Sequence, residues 1–163
     1  MIDTNLKRAA RFLQDRKQLM YPDDGGVAIP LSAFLPRGEG CSEGMVYETS
    51  VILHKDDNDI PWDAGIHIFR SDERGCAEKV PVACVDIPIV DIEGAGLSVE
   101  LKPEKGISQL HANILGWSED ADLRDLTAAV LAGKGRLFIR PGREEAVQRK
   151  MKQPRRESNG DVD

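Results

Sequence analysis

Residues 108–140 constrain the fold more than any other stretch, because they read as strand, helix and strand in immediate succession: SQLHANILGW, then SEDADLRDLTAAVLAGKG, then RLFIR. Along the first run Leu110, Ala112, Ile114 and Gly116 alternate with His111, Asn113, Leu115 and Trp117. Both sides therefore carry apolar material, which suits a strand inside a sheet. Ser118 is a suitable N-cap, and Glu119, Asp120 and Asp122 place negative charge where the helix dipole favours it. A helix is expected over residues 119–132, with Leu123, Leu126, Thr127, Val130 and Leu131 as its buried stripe and Gly133 or Gly135 ending it. Counted from 108 to 140 inclusive the unit is 33 residues, the length of a right-handed crossover, with an antiparallel return as the other solution. A chain containing this unit must pack a helix on a sheet.

The flanking segments supply the rest of that sheet. Leu6, Ala10, Leu13, Lys17 and Met20 fall at helical spacing, widened by Ala9 and Phe12, with Asp3 or Thr4 as N-cap. This pattern predicts an N-terminal helix over residues 5–20, whose opposite face presents Lys7, Arg8, Arg11 and Arg16 to solvent. Pro22 and the Gly25-Gly26 pair stop it. Pro30 and Pro36 limit residues 27–34 to a short edge strand or a packed loop, and Gly38, Gly40 and Gly44 make the surroundings of Cys41 a flexible segment. Residues 45–54, MVYETSVILH, form a strand with Tyr47, Thr49, Val51 and Leu53 as the core face. A polar loop then leads to a second strand at 66–70, as in a hairpin with an irregular tip. The segment VPVACVDIPIVDI reads as buried on both faces, with Pro81 and Pro88 requiring an edge, a bulge or a break and the split placed near residues 86–88. LSVELK turns Leu97, Val99 and Leu101 inward and Ser98, Glu100 and Lys102 outward, so one face is wet there.

The expected architecture is a single α+β domain over residues 1–141: a mixed, mainly antiparallel sheet of five to seven strands, the N-terminal helix, and the one long helix packed on it. Residues 142–163 are charged and nearly devoid of large apolar residues, and are expected to form a flexible tail.

A formal net charge of −6 argues against a surface that clamps a phosphate backbone over its whole extent. Cys41, Cys76 and Cys84 are odd in number and widely spaced, as reduced thiols in a cytoplasm would be. The N-terminus has no continuous apolar core of the kind that directs export, and no window is long enough to cross a bilayer. A cytoplasmic protein without a membrane partner is the expectation.

Chemistry is sparsely encoded. His54, His67 and His111 all fall on predicted strands or strand ends; brought together with Asp57 and its neighbours Asp56 and Asp59, they could form a metal-assisted hydrolase or nuclease centre. The loop lacks the glycine and distal glutamate of a calcium-binding hand, and a solvated acidic tip accounts for it. His111, Asn113, Trp117 and Ser118 converge where a strand enters a helix N-terminus, a place suited to a pocket rim, although Trp117 can equally pack beneath the helix and Ser118 merely cap it. Trp62 beside Pro61 is a contact candidate on a polar loop, or else a cover for the end of the sheet. Lys7, Arg8 and Arg11 on the N-terminal helix, together with the basic tail, are the candidates for a nucleic-acid contact, a reading the acidic total does not favour. No nucleophile elbow, phosphate loop or dinucleotide fingerprint occurs, so no cofactor is implied. These features lead to a small, non-catalytic binding or regulatory protein, an accessory factor acting through protein contacts.

Overall fold

The computed structural model describes residues 5–13, 19, 27–41, 44–56, 59–64, 81–103 and 108–145. Among the described residues seven strands form one antiparallel sheet: β1 (Arg8–Leu13), β2 (Arg37–Cys41), β3 (Gly44–His54), β4 (Ala83–Pro88), β5 (Ser98–Leu101), β6 (His111–Leu115) and β7 (Arg136–Ile139). Their order is β5-β6-β3-β1-β4-β7, with β2 paired to β3 off that path. Two helices join distant strands, α1 (Ile89–Gly94) and α2 (Ala121–Lys134). The protein is α+β, as the sequence predicts.

The N-terminal segment departs from expectation, because residues 8–13 are a strand at the middle of the sheet and not part of a helix. β1 is paired on both sides, with Ala9 opposite Leu53 on β3 and opposite Ile87 on β4. In RAARFL the apolar residues Ala9, Ala10, Phe12 and Leu13 are all buried. A strand between two neighbours buries both faces, so small and apolar residues on each side serve it as well as they serve a helix stripe. Residues 14–18 and 20 of the expected helix lie outside the described residues.

The alternation along the central strands defines two faces. Ala9 and Leu13 of β1, Val51 and Leu53 of β3, Ala83, Val85 and Ile87 of β4, and Ala112 and Ile114 of β6 belong to the main core cluster. Ile89 and Ile92 of α1, Ala128 and Leu131 of α2, and Phe34 complete it. On the opposite face Ala10, Phe12, Ile52 and Cys84 form a smaller cluster, over which Ile60, Trp62 and Ala64 pack.

Strand directions follow from the pairings. Four antiparallel steps separate β6 from β7, so these two strands run the same way with β3, β1 and β4 between them. The strand-helix-strand unit is thus a crossover, but one spanning the sheet rather than joining neighbours. β4 and β5 are likewise parallel and joined through α1, and α1 touches α2 on the main-core face.

Local chemistry sets the breaks. Pro88 ends β4 and occupies the N-cap of α1, so the expected split near residues 86–88 is present and a short helix follows it. Residues 31–34 form a turn that buries Ala33 and Phe34, the packed-loop alternative for that stretch. The glycine-rich segment around Cys41 is not a loose connection: β2 pairs with β3 in the register Arg37 opposite Glu48 through Cys41 opposite Gly44. Gly38 faces Tyr47, and the side chains of Met45 and Tyr47 come within 3.0 Å of where a Cβ would stand on it. The absence of a side chain lets them lie across the ribbon. The strand expected at 66–70 and most of the C-terminal tail fall outside the described residues.

Candidate functional site

Two features of the described residues carry more than packing: a charged network inside the smaller core face, and an apolar stripe on the outside of α2.

The network starts from an acid in an apolar strand. Asp86 is fully buried between Val85 and Ile87. Its Oδ2 accepts a hydrogen bond from Arg8 Nε, and its Oδ1 lies 2.6 Å from His54 Nε2. Arg8 belongs to β1, His54 to β3 and Asp86 to β4, so the contact between His54 and Asp86 crosses the strand between them. Ala10, opposite Asp86 on that strand, is small enough to leave the space free. His54 Nδ1 lies 2.8 Å from the carbonyl oxygen of Asp56, which can only accept, so Nδ1 carries a proton. His54 Nε2 then faces Asp86 Oδ1 across a short hydrogen bond. Burial pushes the Asp86 carboxyl up, but the hydrogen bonds from His54 and Arg8, together with their charges, outweigh it and hold the carboxyl below its ordinary value.

This geometry leaves no ring nitrogen of His54 directed at a substrate, since both face protein oxygens and the residue is 3% exposed. Cys84, two residues from Asp86 on the same face, is a buried free thiol. Burial raises it well above its ordinary value, and the Asp86 charge adds to the effect, so it stays protonated and unreactive.

The other candidate residues are placed as follows. His111 and Asn113 lie on the same face as His54, and His111 stands opposite Ile52 on β3. That makes His54 and His111 diagonal neighbours, about 7–8 Å apart by sheet geometry. His111 Nδ1 is 2.9 Å from the Lys102 carbonyl oxygen. Among the described residues no group of three or more His, Cys, Asp or Glu is arranged to hold a metal. His67 and Asp57 lie outside the described residues. Asn113 donates from Nδ2 to Glu48 Oε2 at 2.9 Å.

The expected convergence of His111 and Asn113 with Trp117 does not occur. β6 ends at Leu115, and Gly116, at φ 92°, reverses the alternation. Trp117 joins the opposite, main core, is 8% exposed, and donates from Nε1 to the Ile114 carbonyl. Ser118 is not the cap of the long helix. That position is held by Asp120, whose Oδ1 accepts from the backbone N–H groups of Asp122 and Leu123, while Ser118 Oγ accepts from the N–H of Asp120. The helix accordingly starts at Ala121.

Trp62 packs edge-on against Phe12, with ring centroids 5.7 Å apart, and covers the smaller cluster. Arg8 and Arg11 do not form a solvent-facing basic surface. Arg8 holds Asp86, and Arg11 donates to the carbonyl oxygens of Ala33 and Ser50. Burial pushes the Arg11 guanidinium down to about 10.

The stripe on α2 inverts the sequence reading of that helix. Its buried residues are Ala128, Leu131 and Ala132, whereas Leu123, Leu126 and Val130 are 51%, 63% and 45% exposed. At 100° per residue these three lie together on the side opposite the buried one. Beside them Arg124 stacks on the ring of Tyr47, 3.9 Å from its centroid, tying the start of α2 to the β2-β3 ribbon, where Met45 is 54% exposed. Leu123, Leu126 and Val130 thus form an exposed apolar row at heptad spacing.

Asp86 and this stripe are the two features that sequence reasoning missed. The signal for the first is a lone acid within VPVACVDIPIV, since a charge buried in an apolar strand requires partners. The second is encoded by Ala128 and Ala132, whose small side chains allow close approach of a helix to a sheet. No protein-family model, curated protein or solved structure matches this chain. No helix among the described residues is long and apolar enough to cross a membrane.

Proposed function

We propose that the protein is a non-catalytic binding or regulatory module, an accessory protein of the cytoplasm that acts by holding another polypeptide against the outer face of α2. The observation that carries this reading is the exposure of Leu123, Leu126 and Val130 in one row. Leaving three large apolar side chains in water forgoes about 1.5–3 kcal/mol for each that could be fully buried. Helix-in-groove recognition uses apolar anchors at this i, i+3, i+7 spacing. The residues with catalytic potential support the same reading from the other side. His54, Asp86, Arg8 and Arg11 bind one another or backbone carbonyls within the fold.

Site-specific photo-crosslinking in the native host tests it. A photoreactive residue replacing Leu126 is expected to trap a polypeptide, whereas the same residue at the exposed Lys102 is not. Equal yields at both positions would remove the assignment.

A further inference from the structure

We infer that the polypeptide seated on α2 is a second copy of this chain, its own α2 lying antiparallel across a twofold axis. The inference rests on the protein-contact reading and adds the identity of the partner. The distribution of charge along the helix favours this partner. Glu119, just before the Asp120 cap, Asp122 and Asp125 in the N-terminal half of the helix and Lys134 at its C-terminal end are all exposed, and none of them forms an ion pair among the described residues, while the basic Arg124 between them is held by the Tyr47 ring and the Ser118 and Glu119 carbonyls. A helix with acidic residues at one end and a basic residue at the other is complementary to itself only when the two copies run in opposite directions. The helix dipoles then also oppose.

The spacing fits such a pairing. The apolar row is centred between Leu126 and Thr127, so a twofold axis there sets Leu126 beside its own symmetry mate and Leu123 level with Val130 of the other copy. Glu119 stands just before the helix begins at Ala121, which brings it near Lys134 at the end of the other copy. Each contact occurs twice, as an isologous interface requires. Lys134 follows Val130 by four residues and lies on the same side of the helix as the apolar row. The row spans about 10 Å at 1.5 Å per residue, short for a permanent dimer. Met45, exposed on the ribbon that Arg124 joins to α2, extends the apolar surface beyond the helix.

Sedimentation equilibrium of the full chain between about 5 and 500 µM, a range suited to a small interface, tests the assignment. The wild type is expected to pass from monomer to dimer within that range, and Leu126→Asp to remain monomeric while keeping the wild-type circular dichroism spectrum. Glu119→Lys and Lys134→Glu alone are each expected to weaken the dimer about tenfold, and the double substitution to recover most of the loss. Such recovery would not follow from frayed helix ends. A chain that stays monomeric throughout, or a dimer indifferent to Leu126→Asp, overturns the inference. A monomeric chain that still crosslinks through position 126 to a different protein would overturn the second copy alone and leave the protein-contact reading standing.

Discussion

His54 and Asp86, 32 residues apart in the chain and on strands that are not neighbours, meet at 2.6 Å across β1. Arg8 approaches the second carboxylate oxygen, so one fully buried acid ties β1, β3 and β4 together. Asp86→Ala removes the shared acceptor and leaves Arg8 and the His54 ring without it, which is expected to cost about 3–5 kcal/mol in denaturant unfolding. Asp86→Asn should cost distinctly less. Its carbonyl can accept from Arg8, and its amide can donate to a His54 ring protonated only on Nδ1. Equal losses for the two variants would show that the network does not depend on hydrogen-bond satisfaction.

The same carboxyl gives acid stability a defined sign. Its value in the fold is depressed, so its contribution is present above the unfolded value, about 3.9, and is lost as the pH falls through the folded one. Urea unfolding measured from about pH 6 to pH 2 should therefore fall more steeply below pH 4 for the wild type than for Asp86→Asn. Parallel curves for the two proteins would exclude Asp86 as a source of the acid dependence.

Arg11 does a different task with the same guanidinium chemistry. The pairing of β1 with β3 runs from Arg8 opposite His54 to Ala10 opposite Ile52, and Arg11 then reaches the Ser50 carbonyl at 2.9 Å and the Ala33 carbonyl at 3.1 Å. It stitches the turn at 31–34 to the sheet beyond the last paired residues. Arg11→Ala leaves those two acceptors without this donor, for an expected loss of about 1–3 kcal/mol. The loss should be local. The backbone N–H groups of Ala33 and Leu35, bonded within that turn, are expected to exchange faster while those of β4 keep their protection.

Arg8 and Arg11 also mark the limit of what was legible in the chain. Strands β3, β5, β6 and β7 and the break at Pro88 were readable because period-two alternation or a proline acts locally. β1 was not, since Arg8 and Arg11 in RAARFL resemble the charged face of a helix until their partners, 78 and 39 residues away for Asp86 and Ser50, are known. β2 was hidden by glycines whose value lies in the room they leave for Met45 and Tyr47. The site was hidden for the same reason. Which face of α2 is inward depends on how closely it sits on the sheet, a tertiary quantity on which the row of leucines alone is silent.

That closeness is set at the end of the helix, and it can be tested there. A Cβ on Gly135 would stand 2.5 Å from Val85 Cγ1 on β4, so the chain leaves α2 in contact with the sheet at a point where only glycine fits. Gly135→Ala must push the helix end away from Val85, at an expected cost of about 1–3 kcal/mol for overpacking. The buried side of the helix adds a second measure. Leu131→Ala is expected to cost about 2–5 kcal/mol, because Leu131 is fully buried. Leu126→Ala, on the outward side, should change monomer stability by no more than about 0.5 kcal/mol. Unfolding at a concentration low enough to keep the chain monomeric separates the two. If Leu126→Ala proved as damaging as Leu131→Ala, the outer face of α2 would be core and the interaction surface proposed on it would be lost.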